Sequence, residues 1–380
     1  MLRNAVLACF ASFALPAFSQ FQTSDAPPAA KGWRVETIAD GISHPWGMAW
    51  LPDGRMLVTS RGGELYMLQG KKFEKVPMEG LPPVFNVNQA GLFDISVHPA
   101  DKVNPRIYLT LATGDINANR TTLVQGIFDG KRVHSIKTLF RVQSDKNNGE
   151  HFSGRLVWLA DNSLLMSVGD GGNPPQRVGD RLARDQAQNL STDHGAILHL
   201  TDEGKPAAGN PLAAKPGAMP EIWSYGHRNI QGLTRDPMGR VWATEHGPKG
   251  GDELNLIEGG QNYGWPLQSY GRDYKTSEPV GQKVVAGMVA PKVAWVPSPA
   301  PSGLVFYTGS QFPQWRGSLF SGGLASKDIR RIALDKNGNV TGQERLDIGR
   351  RVRDVRQGPD GHLYLITDED NGQLMRVIKQ

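Results

Sequence analysis

One local pattern recurs along the whole chain and restricts the folds that the chain can adopt. A short run of β-forming residues leads into a turn built from Pro, Asp, Asn or Gly, and a second such run follows. Alternating apolar residues on both sides of such a turn predict a β-hairpin. The segments that carry the pattern are 48–60, 94–112, 156–170, 233–245, 305–323 (a degenerate copy) and 355–368.

Hairpins spaced about 45–75 residues apart indicate radial repetition of one β unit, which is the organisation of a β-propeller. A β-sandwich with two extra hairpins is the alternative, but a sandwich rarely needs so many copies of one hairpin. We therefore predict an all-β fold, a six-bladed β-propeller over residues 32–380. The first strand after Lys31 is expected to join the last three strands in one closing blade. One short helix is predicted near residues 180–188.

The first residues of the chain have the composition of an export signal. Arg3 provides a positive charge, residues 5–15 form an apolar run, and residues 17–19 form a small-x-small cleavage site. We predict a signal peptide over residues 1–19, a flexible segment over residues 20–31 and a periplasmic location. No later segment approaches the roughly 18 apolar residues of a membrane-spanning helix, so no membrane span is predicted.

The composition and the motif content exclude several classes of function. Cys9 is the only cysteine and leaves with the predicted signal, so the mature chain has no disulfide and no thiol nucleophile. The formal net charge is +5, and the Lys and Arg residues are scattered, which argues against binding to nucleic acid. No G-x-S-x-G elbow, helix-opening G-x-G-x-x-G or H-E-x-x-H is present.

Three loop residues are candidates for catalysis or ligand binding. His151 precedes a predicted strand beside Glu150, and histidine is suited to general-base catalysis near neutral pH. Asp170 lies in a glycine-rich turn at the end of a strand, where it either orients His151 through a hydrogen bond or only closes the turn. Gln89 has a side-chain amide that can contact a ligand or remain solvated.

Two further pairs of residues suit an anionic ligand. Arg228 and Asn229 are adjacent before a predicted strand, and a guanidinium beside a carboxamide suits an anion or a quinone. Arg351 and Arg353 are two residues apart, so on a strand their side chains point to the same face. These like charges need an anionic partner, either a ligand carboxylate or an acidic side chain of the protein.

A series of short motifs follows in order along the chain. They are HPWGMAWLPDG, QAGLFDISVHP, HFSGRL, GDGG, GHRNIQGL, EHGPKGGDELN, NYGWP, APSG and RVRDV. This series resembles that of the soluble glucose/sorbosone dehydrogenases, and most closely that of the bacterial periplasmic aldose sugar dehydrogenases, which use pyrroloquinoline quinone (PQQ). The resemblance runs from about Ile42 to the C-terminus, and it implies a six-bladed propeller, in agreement with the repeat count.

The resemblance implies PQQ and Ca²⁺ as cofactors and suggests roles for individual residues. His151 matches the general base that takes the proton of the sugar C1 hydroxyl while hydride passes to PQQ, and we group Asp170 with it as catalytic. Ala325 stands where relatives often have a lysine that contacts the cofactor, and Lys327 can replace that lysine if both positions share a strand face. The positions that match PQQ contacts are Gln89, Arg228, Asn229, Tyr274, Arg351 and Arg353.

The stretch EHGPKGGDELN is the candidate metal site. By resemblance, Gly247 and Pro248 supply main-chain carbonyl ligands to the Ca²⁺ that bridges the protein and PQQ. Glu253 and Tyr263 match a second, structural calcium site. The imidazole of His246 is not expected to bind the ion, because Ca²⁺ prefers oxygen ligands. The stretch is therefore interpreted as a turn whose backbone holds the metal.

These expectations combine into one main functional hypothesis. The chain is expected to oxidise the C1 hydroxyl of an aldose sugar to a lactone and to pass the electrons to an external acceptor, a quinone or a cytochrome. Because no haem motif is present, the acceptor is a separate molecule. A calcium-dependent lactonase and a non-catalytic sugar-binding propeller are the alternatives. The expected oligomeric state is a monomer or a homodimer.

Overall fold

A six-bladed β-propeller forms the described part of the chain, residues 21–23 and 27–380 of a computed structural model. Each blade contains an antiparallel four-stranded sheet, and one blade carries an additional parallel strand at its outer edge. The innermost strand of each blade is the one named first below. The predicted signal peptide and its cleavage site lie outside the described residues. The fold class therefore agrees with the prediction made from the repeated hairpins.

The strands follow the chain from blade to blade. Two strands precede the first complete blade, β1 (Phe21–Thr23) and β2 (Trp33–Ile42). Blade I contains β3 (Pro45–Trp50), β4 (Met56–Ser60), β5 (Leu65–Gln69) and β6 (Lys72–Val76). Blade II contains β7 (Leu92–Val97), β8 (Arg106–Gly114), β9 (Asn119–Phe128) and β10 (Val133–Arg141).

Blade III is interrupted by a long connection. The blade itself contains β11 (Ser153–Trp158), β12 (Leu164–Val168), β15 (Ala196–Leu200) and β16 (Ile222–Tyr225). The connection between β12 and β15 contains a small hairpin of β13 (Arg177–Val178) and β14 (Arg181–Leu182). Blade IV contains β17 (Ile230–Arg235), β18 (Val241–Glu245), β19 (Asp252–Ile257) and β20 (Val293–Trp295). A second long connection, residues 258–292, separates β19 from β20.

The last strands complete the ring. Blade V contains β21 (Pro301–Phe306), β22 (Ser318–Gly323), β23 (Asp328–Leu334) and β24 (Val340–Asp347). Blade VI contains β25 (Val352–Gln357), β26 (Leu363–Thr367), β27 (Gly372–Lys379) and the earlier β2. Each predicted hairpin corresponds to the first two strands of one blade.

The closing blade has the composition that the sequence predicts. β2 pairs antiparallel with β27, so that Trp33 lies opposite Lys379 and Ile42 opposite Gly372. β1 pairs in parallel with β20 of blade IV, and Ala30 donates a main-chain hydrogen bond to the carbonyl oxygen of Arg345. The flexible character of residues 20–31 stays a prediction.

Helices contribute little to the described residues. The 3₁₀ helix Ala183–Gln188 follows β14 and coincides with the short helix predicted near residues 180–188. A second 3₁₀ turn, Pro313–Trp315, lies between β21 and β22. In the part of the chain that the structure describes, no helix has the length and apolar character needed to span a membrane.

The apolar core is a ring of layers, with one layer between each pair of neighbouring blades in the described chain. The layer between blades I and II, for example, packs Leu57 against Leu109, and the layer between blades VI and I packs Ile366 against Met48. Burial of these side chains stabilises the association of the blades by roughly 25 cal/mol per Å² of apolar surface. No blade buries its own faces without its neighbours.

Hydroxyl groups near the channel link neighbouring blades. Thr59 Oγ1 of blade I donates to the Phe93 carbonyl of blade II at 2.7 Å. Thr110 of blade II donates in the same way to Gly154 of blade III at 2.6 Å. These bonds satisfy carbonyls that the register shifts near the start of the innermost strands leave outside the ladder.

Four charged side chains fill the channel and form what we call the channel tetrad: Asp94, Arg155, Asp354 and Arg356. Arg155 Nη1 lies 3.4 Å from Asp94 Oδ1 and 3.0 Å from Asp354 Oδ1. Arg356 contacts the same two carboxylates at 2.8 Å and 3.0 Å. Gly303 is required beside the tetrad, because a Cβ atom there would lie 1.9 Å from Asp354 Oδ1.

We expect Arg155→Met to lower the free energy of unfolding by about 3–5 kcal/mol, because it leaves two buried carboxylates without one of their partners. Urea titration followed by tryptophan fluorescence measures the change. Lys205→Met is the control, since Lys205 forms an exposed ion pair with Glu203 and its loss is expected to cost less than about 1 kcal/mol. Equal stability of Arg155→Met and the parent protein would contradict a stabilising tetrad.

Candidate active site

A cavity of ≈ 260 Å³ lies at the end of the channel where the innermost strands begin. Residues from all blades of the described propeller contribute to it. The lining residues are Trp46, Arg61, Gln89, Phe93, Phe152, Ser153, Asn229, Gln231, His246, Ala300, Leu324, Arg351, Arg353 and Asp368. The residues of the innermost strands lie beside register shifts in the sheets, and β-bulges commonly re-aim side chains next to binding sites.

The structure brings together most of the residues that the sequence singles out. Gln89, Asn229, Arg351 and Arg353 all line the cavity. The side-chain carbonyl of Gln89 accepts a hydrogen bond from the main-chain N–H of His151 at 3.0 Å. Residues from separate blades are therefore connected directly around the cavity.

His151 and Asp170 form a buried hydrogen-bonded pair next to the cavity. His151 Nδ1 lies 2.6 Å from Asp170 Oδ1, and the two side chains are 3% and 0% exposed. Asn173 Nδ2 lies 3.3 Å from His151 Nε2. An amide nitrogen only donates, so the geometry favours the tautomer with its proton on Nδ1 and a lone pair on Nε2.

The surroundings keep this pair as a neutral imidazole and an ionised carboxylate. Burial, helped by the charge of Arg228, lowers the pKa of His151 despite the nearby carboxylate. Burial tends to raise the pKa of Asp170, but His151, Arg228 and the N–H of Gly172 together hold it below its ordinary value. Neutral His151 is the form that can accept a proton.

Lys146 supports the loop that carries His151. Its ammonium group donates to the main-chain carbonyl of Glu150 and lies 3.3 Å from the ring centroid of Phe152. Burial lowers the pKa of Lys146 well below its ordinary value. The loop is thus fixed by contacts with the Lys146 side chain.

Arg228 is held by several partners but retains an unused donor. Its guanidinium donates to Asn173 Oδ1 at 2.7 Å and to the His246 carbonyl at 3.1 Å, and its main-chain N–H donates to Glu245 at 2.7 Å. Nε of Arg228 is buried and has no protein partner among the described residues. The charge is therefore fixed in position and has a donor left for a ligand.

The paired arginines near the C-terminus meet an acidic side chain. Arg351 and Arg353 donate to Asp368 Oδ2 at 3.2 Å and 2.7 Å, and His44 Nδ1 lies 2.9 Å from Asp368 Oδ1. The sequence left open whether a ligand or an acidic neighbour compensates these charges, and the structure shows the acidic neighbour. One carboxylate between two guanidiniums leaves net positive charge at the cavity wall.

Three predicted cofactor positions, Arg228, Tyr274 and Ala325, lie outside the cavity lining. Tyr274 is 57% exposed and lines a neighbouring pocket together with Asn173, Pro248 and Trp265. Ala325 is exposed in the tight turn that joins β22 to β23. The condition under which Lys327 replaces the lysine, a strand face shared with position 325, is not met, because residues 324–326 form a turn and Lys327 has a φ of 57°.

The loop between β18 and β19 carries Gly247 and Pro248, two of the predicted metal positions. The N–H of Gly247 donates to Asp252 Oδ1 at 2.8 Å, so this carboxylate fixes the loop from inside. Burial raises the pKa of Asp252 to about 6. His246 Nε2 donates to the Pro301 carbonyl at 2.8 Å, and burial lowers its pKa to about 3, so the imidazole stays neutral.

Glu253 and Tyr263, the other predicted metal positions, line one small cavity beside Gly247. Burial and the facing Glu245 raise the pKa of Glu253 well above its ordinary value. The Tyr263 hydroxyl donates to Leu256 and accepts from Glu258, so only its main-chain carbonyl suits a metal. Within the described ranges, no group of three or more His, Cys, Asp or Glu side chains could hold an ion.

Sequence reasoning missed several residues of the site. The missed residues are Trp46, Arg61, Gln231, His246, Trp265 and Asp368. The sequence contained a signal for two of them. Gln231 follows Asn229 by two residues, and a carboxylate such as Asp368 was required by the arginine pair. The two tryptophans carried no such signal, because their contacts are made with other blades.

Comparisons with known proteins identify similar sequences. Residues 42–376 match the sequence profile of the family described as Glucose / Sorbosone dehydrogenase. The chain is 40% identical over 354 residues to the aldose sugar dehydrogenase YliI of Escherichia coli, covering 90% of this chain and 92% of that protein. It is 46% identical over 350 residues to the uncharacterized protein slr1608 of Synechocystis, covering 90% of this chain and 85% of that protein.

Solved structures agree with these sequence matches. The apo form of the soluble aldose sugar dehydrogenase from Escherichia coli has a TM-score of 0.84 and 38% identity, covering 92% of this chain and 100% of that one. The PQQ-bound form of the aldose sugar dehydrogenase from Streptomyces coelicolor has a TM-score of 0.72 and 28% identity, covering 93% of this chain and 100% of that one.

The environment of Asp368 predicts a dependence of stability on pH. Burial tends to raise its pKa, but Arg353, His44 and Arg351 hold the pKa below its ordinary value. The stabilisation is therefore complete above the unfolded-chain pKa of about 3.9 and is lost as the pH falls further. We expect Asp368→Asn to be less stable than the parent protein by about 3 kcal/mol at pH 7.

Urea titrations between pH 3 and pH 7 measure this difference. The stability gap between Asp368→Asn and the parent protein is expected to narrow below about pH 4. Asp53→Asn serves as the control, because Asp53 forms an exposed ion pair with Arg55. A gap that stays constant over the whole pH range would show that the charge of Asp368 does not stabilise the fold.

Proposed function

Because the chain belongs to the glucose/sorbosone dehydrogenase family and is thus a sugar oxidoreductase, we propose that it is a PQQ- and Ca²⁺-dependent aldose dehydrogenase. It oxidises the C1 hydroxyl of an aldose to a lactone and passes the electrons to an external quinone or cytochrome. The periplasm is the proposed location. The buried His151–Asp170 pair beside a donor-lined cavity is the observation that carries this proposal.

His151 is the proposed general base. Its Nε2 lone pair takes the proton of the sugar hydroxyl, because Nδ1 is engaged by Asp170. Asp170 stabilises the imidazolium that forms, and it keeps the ring in one orientation. Burial and the charge of Arg228 lower the pKa of His151, so the unprotonated base is favoured before the substrate arrives. The dyad can thus accept a proton near neutral pH.

The cavity suits an anionic, planar quinone. Gln89 and Asn229 present amide groups, while Arg351 and Arg353 present guanidiniums. The buried Nε atoms of Arg228 and Arg353 have no protein partner in the described part of the chain, which is unfavourable unless a ligand accepts from them. PQQ, when bound, supplies a quinone that accepts hydride and carboxylates that pair with the arginines.

Calcium is proposed at the loop of Gly247 and Pro248, through their main-chain carbonyls. Ca²⁺ takes oxygen ligands, and the main-chain carbonyls of this loop would supply them together with oxygens of the bound cofactor. A second, structural Ca²⁺ is proposed at Glu253 and the main-chain carbonyl of Tyr263. Tyr274 remains a proposed cofactor contact, and the side chain of Ala325 carries no charge.

Replacing the general base tests the proposed chemistry. We expect His151→Ala to bind PQQ nearly as tightly as the parent protein while turnover falls by about 10²–10⁴-fold. Dye reduction with PQQ, Ca²⁺ and a panel of aldoses measures turnover, and PQQ absorbance measures binding. His134→Ala, at a half-buried histidine of β10 that does not line the cavity, is the control. If PQQ binds but no aldose reduces the dye with the parent protein, the proposed activity is wrong.

Removal of the metal tests the proposed ion. We expect excess EDTA to abolish PQQ binding and dye reduction, and added Ca²⁺ to restore both. Mg²⁺ is expected to restore much less, because it demands octahedral geometry and retains its water. Titration of the stripped protein with each ion, read by PQQ absorbance, makes the comparison. Full activity after verified removal of Ca²⁺ would exclude a cofactor-bridging calcium.

A further inference from the structure

Trp265 reaches across a blade boundary to the catalytic pair. It belongs to the 258–292 connection of blade IV, whereas His151 and Asp170 belong to blade III. The indole Nε1–H donates a 2.7 Å hydrogen bond to Asp170 Oδ2. Both groups are buried, so this bond forms where water does not compete with it.

The bond from Trp265 complements the other bonds of the same carboxylate. Asp170 Oδ1 accepts from His151 Nδ1 at 2.6 Å and from the Gly172 N–H at 2.9 Å. Trp265 supplies a donor to Oδ2. A carboxylate fixed at both oxygens cannot rotate, and its direction sets the plane of the imidazole that donates to it.

Trp265 itself is held firmly and touches a second functional group. Its main-chain N–H donates to Gly226 at 2.9 Å, and its carbonyl accepts from Gln188 Nε2 at 2.7 Å. The guanidinium carbon of Arg228 lies 5.3 Å from the centroid of the indole ring, within cation–π range. The Trp265 side chain therefore contacts both the His151–Asp170 pair and Arg228, a residue proposed to bind the cofactor.

We propose that Trp265 is a positioning residue, which anchors Asp170 and thereby holds His151 in the Nδ1–H tautomer, whose Nε2 lone pair is the proposed proton acceptor. This inference rests on the proposed function for its catalytic meaning, but the tautomer can be measured without cofactor or sugar. Trp265 does not touch the reacting atoms. It acts through Asp170, and the connection that carries it couples blade IV to the chemistry of blade III.

Loss of the indole donor has a defined effect on protonation. Without that donor, Asp170 is a stronger base and attracts the proton of His151 more strongly, so the pKa of His151 rises. His151 then becomes neutral only at higher pH. Replacement of Trp265 leaves the other charged or titratable groups around the pair unchanged. These groups are Lys146, Glu150, His194, Arg228 and His246.

Trp265→Phe tests the proposal, with Trp223→Phe as a matched control. Trp223 is a tryptophan of blade III whose buried Nε1 has no protein partner among the described residues, so its replacement removes the same atoms but no hydrogen bond. Nuclear magnetic resonance of ¹⁵N-histidine-labelled apo protein reports tautomer and protonation. The His151 signal is identified by its absence from His151→Ala.

We expect the His151 titration midpoint to rise by about one pH unit in Trp265→Phe and to stay unchanged in Trp223→Phe. In the dye assay, kcat is expected to fall about 10-fold with little change in KM, and the acidic limb of its pH profile to shift upward. An unchanged midpoint and tautomer in folded Trp265→Phe would overturn the proposal, whatever the effect on kcat.

An isosteric replacement covers the case in which Trp265→Phe does not fold. Benzothienylalanine at position 265 keeps the shape of the indole but replaces N–H by sulfur, so it removes only the donor. The same rise of the midpoint is expected, and its absence would overturn the proposal. If the parent protein lacks sugar-dependent dye reduction while the midpoint shifts, the proposed function fails and the positioning role stands.

Discussion

The channel tetrad is the interaction on which the rest of the structure depends. Six strands converge on the axis, and the space between them is filled by two carboxylates and two guanidiniums instead of an apolar plug. Asp94 accepts from the Leu156 N–H of blade III, and Asp354 accepts from the Met48 N–H of blade I. The tetrad therefore satisfies backbone groups of several blades as well as its own charges. The tetrad also contacts the cavity wall, since the Arg155 guanidinium lies 4.1 Å from the ring centroid of Trp46, a lining residue.

The same principle of paired, buried charge shapes the site above the tetrad. Asp368 lies between two arginines and Asp170 accepts from several donors, so the polar groups are fixed before any ligand enters. Preorganised groups avoid the cost of reorientation during the reaction. The buried Nε atoms of Arg228 and Arg353 depart from this full pairing in the described chain, and both belong to residues proposed to bind the cofactor.

Local pattern was sufficient for the architecture but not for the whole site. The hairpin repeat predicts the blades and the closing role of β2, because turn residues and alternation are properties of neighbouring residues. The His151–Asp170 pair could be suggested, since β11 and β12 are consecutive. The contact of Trp265 with Asp170 could not be predicted from the sequence, because it joins the long 258–292 connection of blade IV to blade III. The placement of Lys327 was left open by the sequence, because its two-residue spacing from position 325 does not distinguish a strand from the turn that is present.

Closure of the ring by β2 and β27 has a consequence for the biogenesis of the protein. Blade VI cannot form until β27 has been synthesised, because β2 pairs with β27, with Ile42 opposite Gly372. Until then, the nascent chain exposes the apolar edges of blades I and V. Such high contact order slows folding and favours transient association with chaperones. Residues from every described blade line the cavity. Enzymatic activity therefore requires that the last strand has been synthesised and that the ring of blades has closed.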